Sequence, residues 1–324
     1  MTTTATNATS DRVAVVLMAY GTPRTPAEIE PYYTDIRRGR PPTPEALADL
    51  VARYAAIGGV SPLAQLTEAQ GDALQSALDA ADPGRFEVSL GLKHADPKVE
   101  DTARRVADGG AARVIGLVLA PHYSSYSIGQ YLDRVRQGVA DSGAAIEVAG
   151  IDSWATEPAF VEFLADDLAA RVSAMREQTG GRVRVLFTAH SLPQRIIDGG
   201  DPYPDELRST AEAVAARVGL VEGDDWQIAW QSAGRTPEPW IGPDILEVID
   251  ALGSNEQPDG DRIAGVIVSA CGFVADHLEV LYDLDIEAAA RAASLGLAFD
   301  RTACVNDDPT IMTALAARVR ALAP

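Results

Sequence analysis

The 324-residue sequence contains only two cysteines and four histidines. Cys271 and Cys304 cannot form a disulfide framework, which fits a reducing cytoplasm. Basic residues are also scarce, since 27 Lys and Arg stand against 47 Asp and Glu for a net charge of −20. This charge argues against nucleic acid and anionic membranes as partners. The longest apolar stretches, such as VAVVLMA, run for seven residues, whereas a membrane-spanning helix needs roughly 20.

Residues 1–12 (MTTTATNATSDR) have no apolar core and no basic cluster, and we expect them to be a disordered tail and not a signal or transit peptide. No strand-like segment is followed by GxGxxG or a Walker loop, so dinucleotides and nucleoside triphosphates are poor candidate ligands. Apolar residues make up 47% of the chain and charged residues 23%, a balance typical of a soluble globular protein.

Eight short apolar segments read as buried strands of a parallel sheet, separated by Ala- and Leu-rich helical patterns. This alternation predicts an α/β protein with two Rossmann-like, doubly wound lobes, each with a four-stranded parallel sheet flanked by helices. The predicted strands are Val13–Tyr20, Phe86–Leu92, Val114–Pro121, Ile146–Ile151, Val183–Ala189, Trp226–Trp230, Ile263–Ala270 and Leu295–Phe299. We expect residues 13–155 plus 302–324 to form the N-terminal lobe and residues 156–301 the C-terminal lobe, with helix Thr310–Ala321 returning to the first lobe.

Most of the histidines follow the ends of predicted strands. His190 closes the run VRVLFTAH, while His94 and His122 come just after two other strands, as does Tyr20. Open α/β sheets bind ligands beyond the carboxyl ends of their strands. The pattern therefore predicts a site in a cleft between the lobes. The alternative is that His190 only ends a strand and hydrogen-bonds locally.

A row of acidic residues follows the seventh predicted strand. Glu279, Asp283 and Glu287 recur every four residues in a segment that reads as a helix beginning near Asp276, which would cap it. His277 would then face away from Glu279 and serve a structural role. One interpretation is an ordinary solvated face, and the other is a path for a hydrated divalent cation toward His190 and Glu279.

Two further features could serve a ligand or the structure alone. Arg37, Arg38 and Arg40 cluster in IRRGRPP, with Arg53 soon after, and form either a solvated charged loop or a landing site for a small anion. Trp230 and Trp240 flank a Pro- and Gly-rich loop. Such tryptophans usually belong to a core, but they can also wall a flat aromatic ligand.

Eight motifs resemble the ferrochelatase family, in the family's order and over nearly the whole chain. They are VVLMAYGTP, YYTDIRRGRPP, RYAAIGGVSPLAQ, LAPHYSSYS, TAHSLP, GDPYPDEL, WQSAGRTPEPWIGPD and GFVADHLEVLYDLDIE. The resemblance is greatest to the soluble coproporphyrin III ferrochelatases of Gram-positive bacteria. It implies Fe²⁺ insertion into a porphyrin held between the two lobes.

The resemblance also implies roles for individual residues. His190 and Glu279 match the family's metal- and proton-handling pair, and Tyr20 matches a tyrosine on the opposite porphyrin face that can reach the product iron. Asp283 and Glu287 match an acidic line behind the site. The positions that match porphyrin- and propionate-holding residues are Arg37, Arg53, Tyr54, Ser61 and Tyr131. His94 and His122 are expected near the cleft but not as ligands.

The resulting expectation is a cytoplasmic, monomeric enzyme of haem biosynthesis that makes Fe-coproporphyrin III (coprohaem), without membrane insertion and with transient contact to the next haem-pathway enzyme. The alternative substrate is protoporphyrin IX, and the rival classes are a non-catalytic tetrapyrrole carrier and an anion-binding module. No resident cofactor is expected. Some relatives bind a [2Fe–2S] cluster through four cysteines, but this chain has two, and Ile128 and Gly129 occupy the region where an actinobacterial ligand would stand.

Overall fold

The computed structural model describes residues 11–234, 236–254 and 262–323, so most of the predicted N-terminal tail lies outside the described residues. Within these ranges the chain alternates strands with helices. The strands are β1 Val13–Ala19, β2 Phe86–Leu92, β3 Arg113–Val118, β4 Glu147–Ile151, β5 Arg182–His190, β6 Trp226–Gln231, β7 Ile263–Ser269 and β8 Ala298–Arg301. The α-helices are α1 Ile29–Ile36, α2 Pro44–Ala56, α3 Leu63–Ala81, α4 Val99–Asp108, α5 Gln130–Asp141, α6 Pro158–Thr179, α7 Gln194–Asp198, α8 Tyr203–Val218, α9 Ile245–Gly253, α10 Leu278–Leu281, α11 Ala289–Ser294 and α12 Pro309–Ala321.

Both sheets are parallel, four-stranded and built with the same topology. The first has the strand order β2-β1-β3-β4 and the second β6-β5-β7-β8. All seven residues of β1 are buried, as expected for a strand covered by helices on both faces. The predicted α/β architecture with two four-stranded parallel sheets is therefore confirmed.

The eighth strand was predicted too early in the chain. Leu295 caps the end of α11 and Gly296 turns the chain with φ = +71°, so β8 begins only at Ala298. Apolarity alone could not separate this helix end from the strand. The other strands lie close to their predicted positions, and β2 has the predicted bounds.

A shared hydrophobic core joins the two sheets. Leu17 of β1, Phe160 of α6, Phe187 of β5 and Leu315 of α12 all belong to one buried cluster. The helix α12 packs against α3 and also contacts α6. Because α6 and α12 contribute to the same cluster as β1 and β5, they fix the relative position of the two sheets.

The helices α1 and α2 form an excursion between β1 and α3. Ile29 and Tyr54 from this excursion bury apolar surface against Leu278, the first residue of α10. The excursion therefore contacts a helix that follows the last residues of β7. Across the described ranges, no helix combines the length and the apolar character that crossing a membrane requires.

Candidate active site

The strand orders mark one point in each sheet where a ligand crevice forms. β1 lies between β2 and β3, and β5 lies between β6 and β7. At such positions the connections leave toward opposite sides of the sheet, which opens a crevice at the carboxyl ends. Tyr20 directly follows β1, and His190 is the last residue of β5. Each residue therefore lies at the carboxyl end of the strand where the crevice of its own sheet opens, as the sequence predicted.

His190 presents one ring nitrogen to the crevice. Its Nδ1 lies 2.5 Å from the carbonyl oxygen of Ser191, which can only accept a hydrogen bond, so Nδ1 carries the hydrogen. In the neutral imidazole, Nε2 then keeps its lone pair. Nε2 lies 3.7 Å from Oε1 of Glu279, and both side chains are 34% exposed. The backbone carbonyl of His190 accepts a hydrogen bond from the Tyr203 hydroxyl, which steadies the strand end.

A second imidazole faces the other oxygen of Glu279, and the prediction that His277 points away was wrong. Nε2 of His277 lies 3.6 Å from Oε2 of Glu279, while Nδ1 lies 2.9 Å from the carbonyl oxygen of Ala275. The reason is local conformation: His277 is extended (φ −156°, ψ −177°) and α10 begins only at Leu278. The two-residue spacing therefore does not follow helical geometry. Sequence reasoning missed this contact.

Glu279 is surrounded by basic groups. Burial favours the neutral acid, but the charges that His190 and His277 carry when protonated, together with the charge of Arg53, outweigh it and lower the pKa of Glu279. Glu279 is therefore a carboxylate at neutral pH. Its backbone carbonyl accepts a hydrogen bond from Gln231 Nε2 at the end of β6. The site thus combines a carboxylate with two imidazole nitrogens that are able to accept protons.

The acidic row does not lie on one regular α-helix. Residues Asp283–Ala288 form a π-helix, in which the Glu287 amide bonds to the Tyr282 carbonyl five residues earlier. Asp276 does not cap α10 as predicted; its carboxylate instead accepts hydrogen bonds from Arg301 and Asn306.

Exposure changes along the acidic row: Glu279 is half-buried, Asp283 buried and Glu287 exposed. The row therefore runs from the crevice to the surface.

Asp283 carries a charge partner from the α1–α2 excursion. Arg53 Nη2 lies 2.5 Å from Asp283 Oδ1, and Ser232 donates its hydroxyl to Oδ2 at 2.5 Å. Burial and the charge of Glu279 nevertheless raise the pKa of Asp283 to about 6, while Ser232 and Arg53 oppose the rise. Ser232 directly follows β6 in the WQSAGR motif, a position at a strand end that sequence reasoning did not select.

Tyr20 directly follows β1 and lies near enough to Glu279 for the charge of that carboxylate to act on its phenol. Its side chain is 42% exposed. Burial of its hydroxyl and then the negative charge of Glu279 raise the pKa of Tyr20, so the phenol stays neutral. The ring lies 4.5 Å from that of His94, whose Nδ1 is 2.7 Å from Asp35 Oδ2.

The turn after Tyr20 requires glycine. Gly21 has φ = +87°, and a Cβ there would lie 2.8 Å from that of Ala95, so only glycine fits this turn.

The remaining predicted porphyrin residues differ in exposure. Arg37 is exposed at the end of α1, where Nε bonds to the Arg40 carbonyl. Tyr54 and Tyr131 are buried at 2% and 4% exposure, and Ser61 is buried at 5%. The Tyr54 hydroxyl is 3.3 Å from that of Thr22, and the Ser61 hydroxyl accepts from the amide of Leu63.

The two tryptophans separate into different environments. Trp230 is buried, with its ring 5.6 Å from that of Tyr203. Trp240 is half-buried, and its ring lies 6.3 Å from that of His190. Trp230 thus belongs to the core, whereas Trp240 stands beside the candidate site.

His122 lies in the contact between the two halves of the chain and not in the open crevice. It is 2% exposed, and Nε2 is 2.8 Å from the hydroxyl of Thr210 on α8. Close by, Asp201 Oδ2 accepts hydrogen bonds from Ser124 and Ser125 of the first half. These contacts help fix one half of the crevice relative to the other.

The fold defines the class of protein. CbiX, described as the terminal enzyme for biosynthesis of sirohaem in denitrifying bacteria, superposes with a TM-score of 0.50 at 14% identity, covering 96% of this chain and 98% of its own. SirB from Bacillus subtilis with Fe³⁺ gives a TM-score of 0.50 at 13% identity, covering 96% of each chain. The chain therefore has the two-sheet chelatase fold.

Sequence comparison narrows this class to a family. The ferrochelatase family model matches residues 12–322, and the chain belongs to the ferrochelatase family. The coproporphyrin III ferrochelatase of Geobacillus kaustophilus is 42% identical over 94% of each chain. That of Halalkalibacterium halodurans is 40% identical over 95% of this chain and 96% of its own. A relative from Herpetosiphon aurantiacus, named ferrochelatase, is 42% identical over 94% of this chain and 97% of its own.

Proposed function

We propose that the protein is a coproporphyrin III ferrochelatase, which inserts Fe²⁺ into coproporphyrin III to give Fe-coproporphyrin III in haem biosynthesis. The observation that carries the chemistry is the arrangement of His190 and His277 around Glu279, with Nε2 atoms 3.7 Å and 3.6 Å from its two oxygens. Relatives named coproporphyrin III ferrochelatase, about 40% identical over most of their length, support the choice of porphyrin.

Metal insertion requires a base, because the free porphyrin must lose two pyrrole N–H protons for each Fe²⁺ that enters. In this proposal His190 Nε2 accepts a proton from the ring, and Glu279 stabilises the imidazolium that forms. Nε2 of His277 faces the second oxygen of Glu279 and offers another acceptor for the second proton, and Glu279 stabilises the imidazolium that then forms. Fe²⁺, the second substrate, contacts His190 and Glu279 before it reaches the pyrrole nitrogens.

The acidic row and Tyr20 serve opposite faces of the porphyrin in the proposal. Asp283 and Glu287 continue from Glu279 to the surface and provide a path along which hydrated metal enters or protons leave. In the proposal Tyr20 lies on the porphyrin face opposite His190 and acts as the axial ligand of the product iron. The neutral phenol described above would lose its proton on binding the iron, since a metal stabilises the charged oxygen.

The carboxylates of the porphyrin substrate need hydrogen-bond donors from the protein. The proposed porphyrin-holding residues are Arg37, Arg53, Tyr54, Ser61 and Tyr131. Coproporphyrin carries four propionates, whereas protoporphyrin replaces two of them with vinyl groups. Arg37, Arg38 and Arg40 are exposed side by side, in a chain whose net charge is −20. This local concentration of positive charge favours the substrate with more carboxylates.

We propose a cytoplasmic monomer that hands its product to the next haem-pathway enzyme in a transient contact, with no resident cofactor. Two cysteines in 324 residues cannot supply the four ligands of a [2Fe–2S] cluster within this chain. We also propose residues 13–155 plus 302–324 and residues 156–301 as the two lobes, supported by the separate sheets.

The experiment that tests the proposed function is anaerobic iron insertion by the wild-type protein. Fe²⁺ and coproporphyrin III are supplied in tenfold or larger excess over the protein, and iron insertion is followed by the loss of porphyrin fluorescence. The proposal predicts many molecules of Fe-coproporphyrin III per protein molecule. A tetrapyrrole carrier would bind the porphyrin, but product formation would not exceed the uncatalysed rate.

A further inference from the structure

Arg53 and Asp283 form an ion pair between segments that lie 230 positions apart. Their side chains are 23% and 6% exposed. The guanidinium carbon of Arg53 lies 4.4 Å from the ring centroid of Tyr282, which adds a cation–π contact. Because Ser232 holds the second oxygen of Asp283, the carboxylate is fixed in the position that receives Arg53.

The backbones on both sides of this pair are held by apolar packing. Tyr54, next to Arg53, belongs to a buried cluster with Ile29 and Leu278, and Tyr282 packs against the same cluster. The two backbones therefore stay close to each other whether or not the ion pair is intact. The Arg53 side chain keeps partial access to solvent and can change its partner without unfolding the excursion.

The charge around Arg53 is unfavourable for an incoming anion. Asp283 already compensates the guanidinium, and the charges of Glu279 and Glu287 act on the same carboxylate. Arg53 also acts on Glu279. A guanidinium has five N–H donors, so donors are not the limiting factor. The limit is charge, since the guanidinium is already paired with Asp283 and lies in the field of Glu279 before the substrate arrives.

We propose that Asp283 competes with the substrate for Arg53, so that porphyrin binding exchanges one carboxylate partner of this guanidinium for another. The inference rests on the proposed function, because the competing anion is a porphyrin propionate. In the empty enzyme Asp283 holds Arg53 and weakens porphyrin binding. When a propionate pairs with Arg53, Asp283 loses its counter-charge. Its carboxylate is therefore free to act together with Glu279 and Glu287 only after the porphyrin is bound.

The test is the affinity of metal-free coproporphyrin III for the Asp283→Asn variant at constant pH and low salt, measured by fluorescence titration. Removing the competing charge should tighten binding by about threefold or more, within the range set by single charge pairs near a surface. Asp283→Ala, which also removes the remaining carbonyl acceptor, should show at least the same gain. The gain should disappear in an Arg53→Gln background, because the competition acts through Arg53.

A matched control is Asp250→Asn. Asp250 pairs with Arg291 in an exposed ion pair, with side chains 45% and 46% exposed, so this variant changes the net charge equally and frees an arginine elsewhere. Its porphyrin affinity should equal that of the wild type. The inference is overturned if Asp283→Asn binds no tighter than the wild type, or if the gain persists without Arg53. A wild-type protein that binds no coproporphyrin would instead contradict the proposed function, and the inference with it.

Discussion

Replacing His122 with glutamine should make the protein less sensitive to acid. His122 is 2% exposed, and burial lowers its pKa from 6.5 to about 3. The Thr210 hydroxyl donates to the Ala155 carbonyl at 2.7 Å and therefore accepts from His122 Nε2–H. A glutamine amide can donate the same hydrogen bond but does not titrate.

The direction in which pH changes the stability of the wild type follows from proton uptake by the unfolded chain. Between pH 6.5 and pH 3 the unfolded chain protonates this imidazole while the folded protein does not, so stability is lost as the pH falls. The loss grows by about 1.4 kcal/mol per pH unit below 6.5 and reaches about 2 kcal/mol at pH 5. At pH 7 the contribution is nearly absent.

Urea denaturation of both proteins at pH 7 and pH 5 measures this difference directly. His94 and the other titrating groups are common to both proteins, so their contributions cancel in the comparison. The wild type should lose about 2 kcal/mol more than His122→Gln between the two pH values. An equal loss in both proteins would refute the assignment of His122 as a neutral, buried imidazole.

The other predictions concern catalysis, substrate binding and cofactor content. His190→Ala should lower the rate constant of iron insertion by about 10²- to 10⁴-fold, the range for loss of a general base, while porphyrin affinity stays close to that of the wild type; near-normal insertion would show that the base lies elsewhere. Glu279→Gln should behave similarly. Arg53→Ala should weaken coproporphyrin binding, and more so at low salt because the lost contact is electrostatic; a loss independent of salt would contradict a charge contact. The purified protein should contain no stoichiometric acid-labile sulfide, whereas its detection would mean cluster ligands from another chain.

Much of the fold follows from local sequence because its signals are local. The buried strands of a parallel sheet are short apolar runs, and residues such as Val13–Ala19 are buried throughout for that reason. The segment Asp283–Ala288 shows where such reasoning fails. Its four-residue spacing predicts an α-helix, but the backbone bonds follow the five-residue pattern of a π-helix. Apolar periodicity does not distinguish the two within one turn.

Part of the candidate site was predictable from the fold rule. Tyr20 and His190 stand at strand ends, and a parallel sheet brings such ends to one edge. His277 could not be placed, because its contact with Glu279 depends on an extended conformation just before α10. The Arg53–Asp283 pair joins residues 230 positions apart, a distance over which spacing carries no information.

The proposed substrate is tested most directly by iron insertion with the wild-type protein when coproporphyrin III and protoporphyrin IX are offered together. An apolar pocket shaped for vinyl groups would leave two extra carboxylates buried and unpaired, at a cost of several kcal/mol. A pocket supplied with arginines instead favours four carboxylates. Coproporphyrin III should be preferred at least about tenfold in kcat/KM, which corresponds to about 1.4 kcal/mol. Equal or faster turnover of protoporphyrin IX would contradict the proposed substrate.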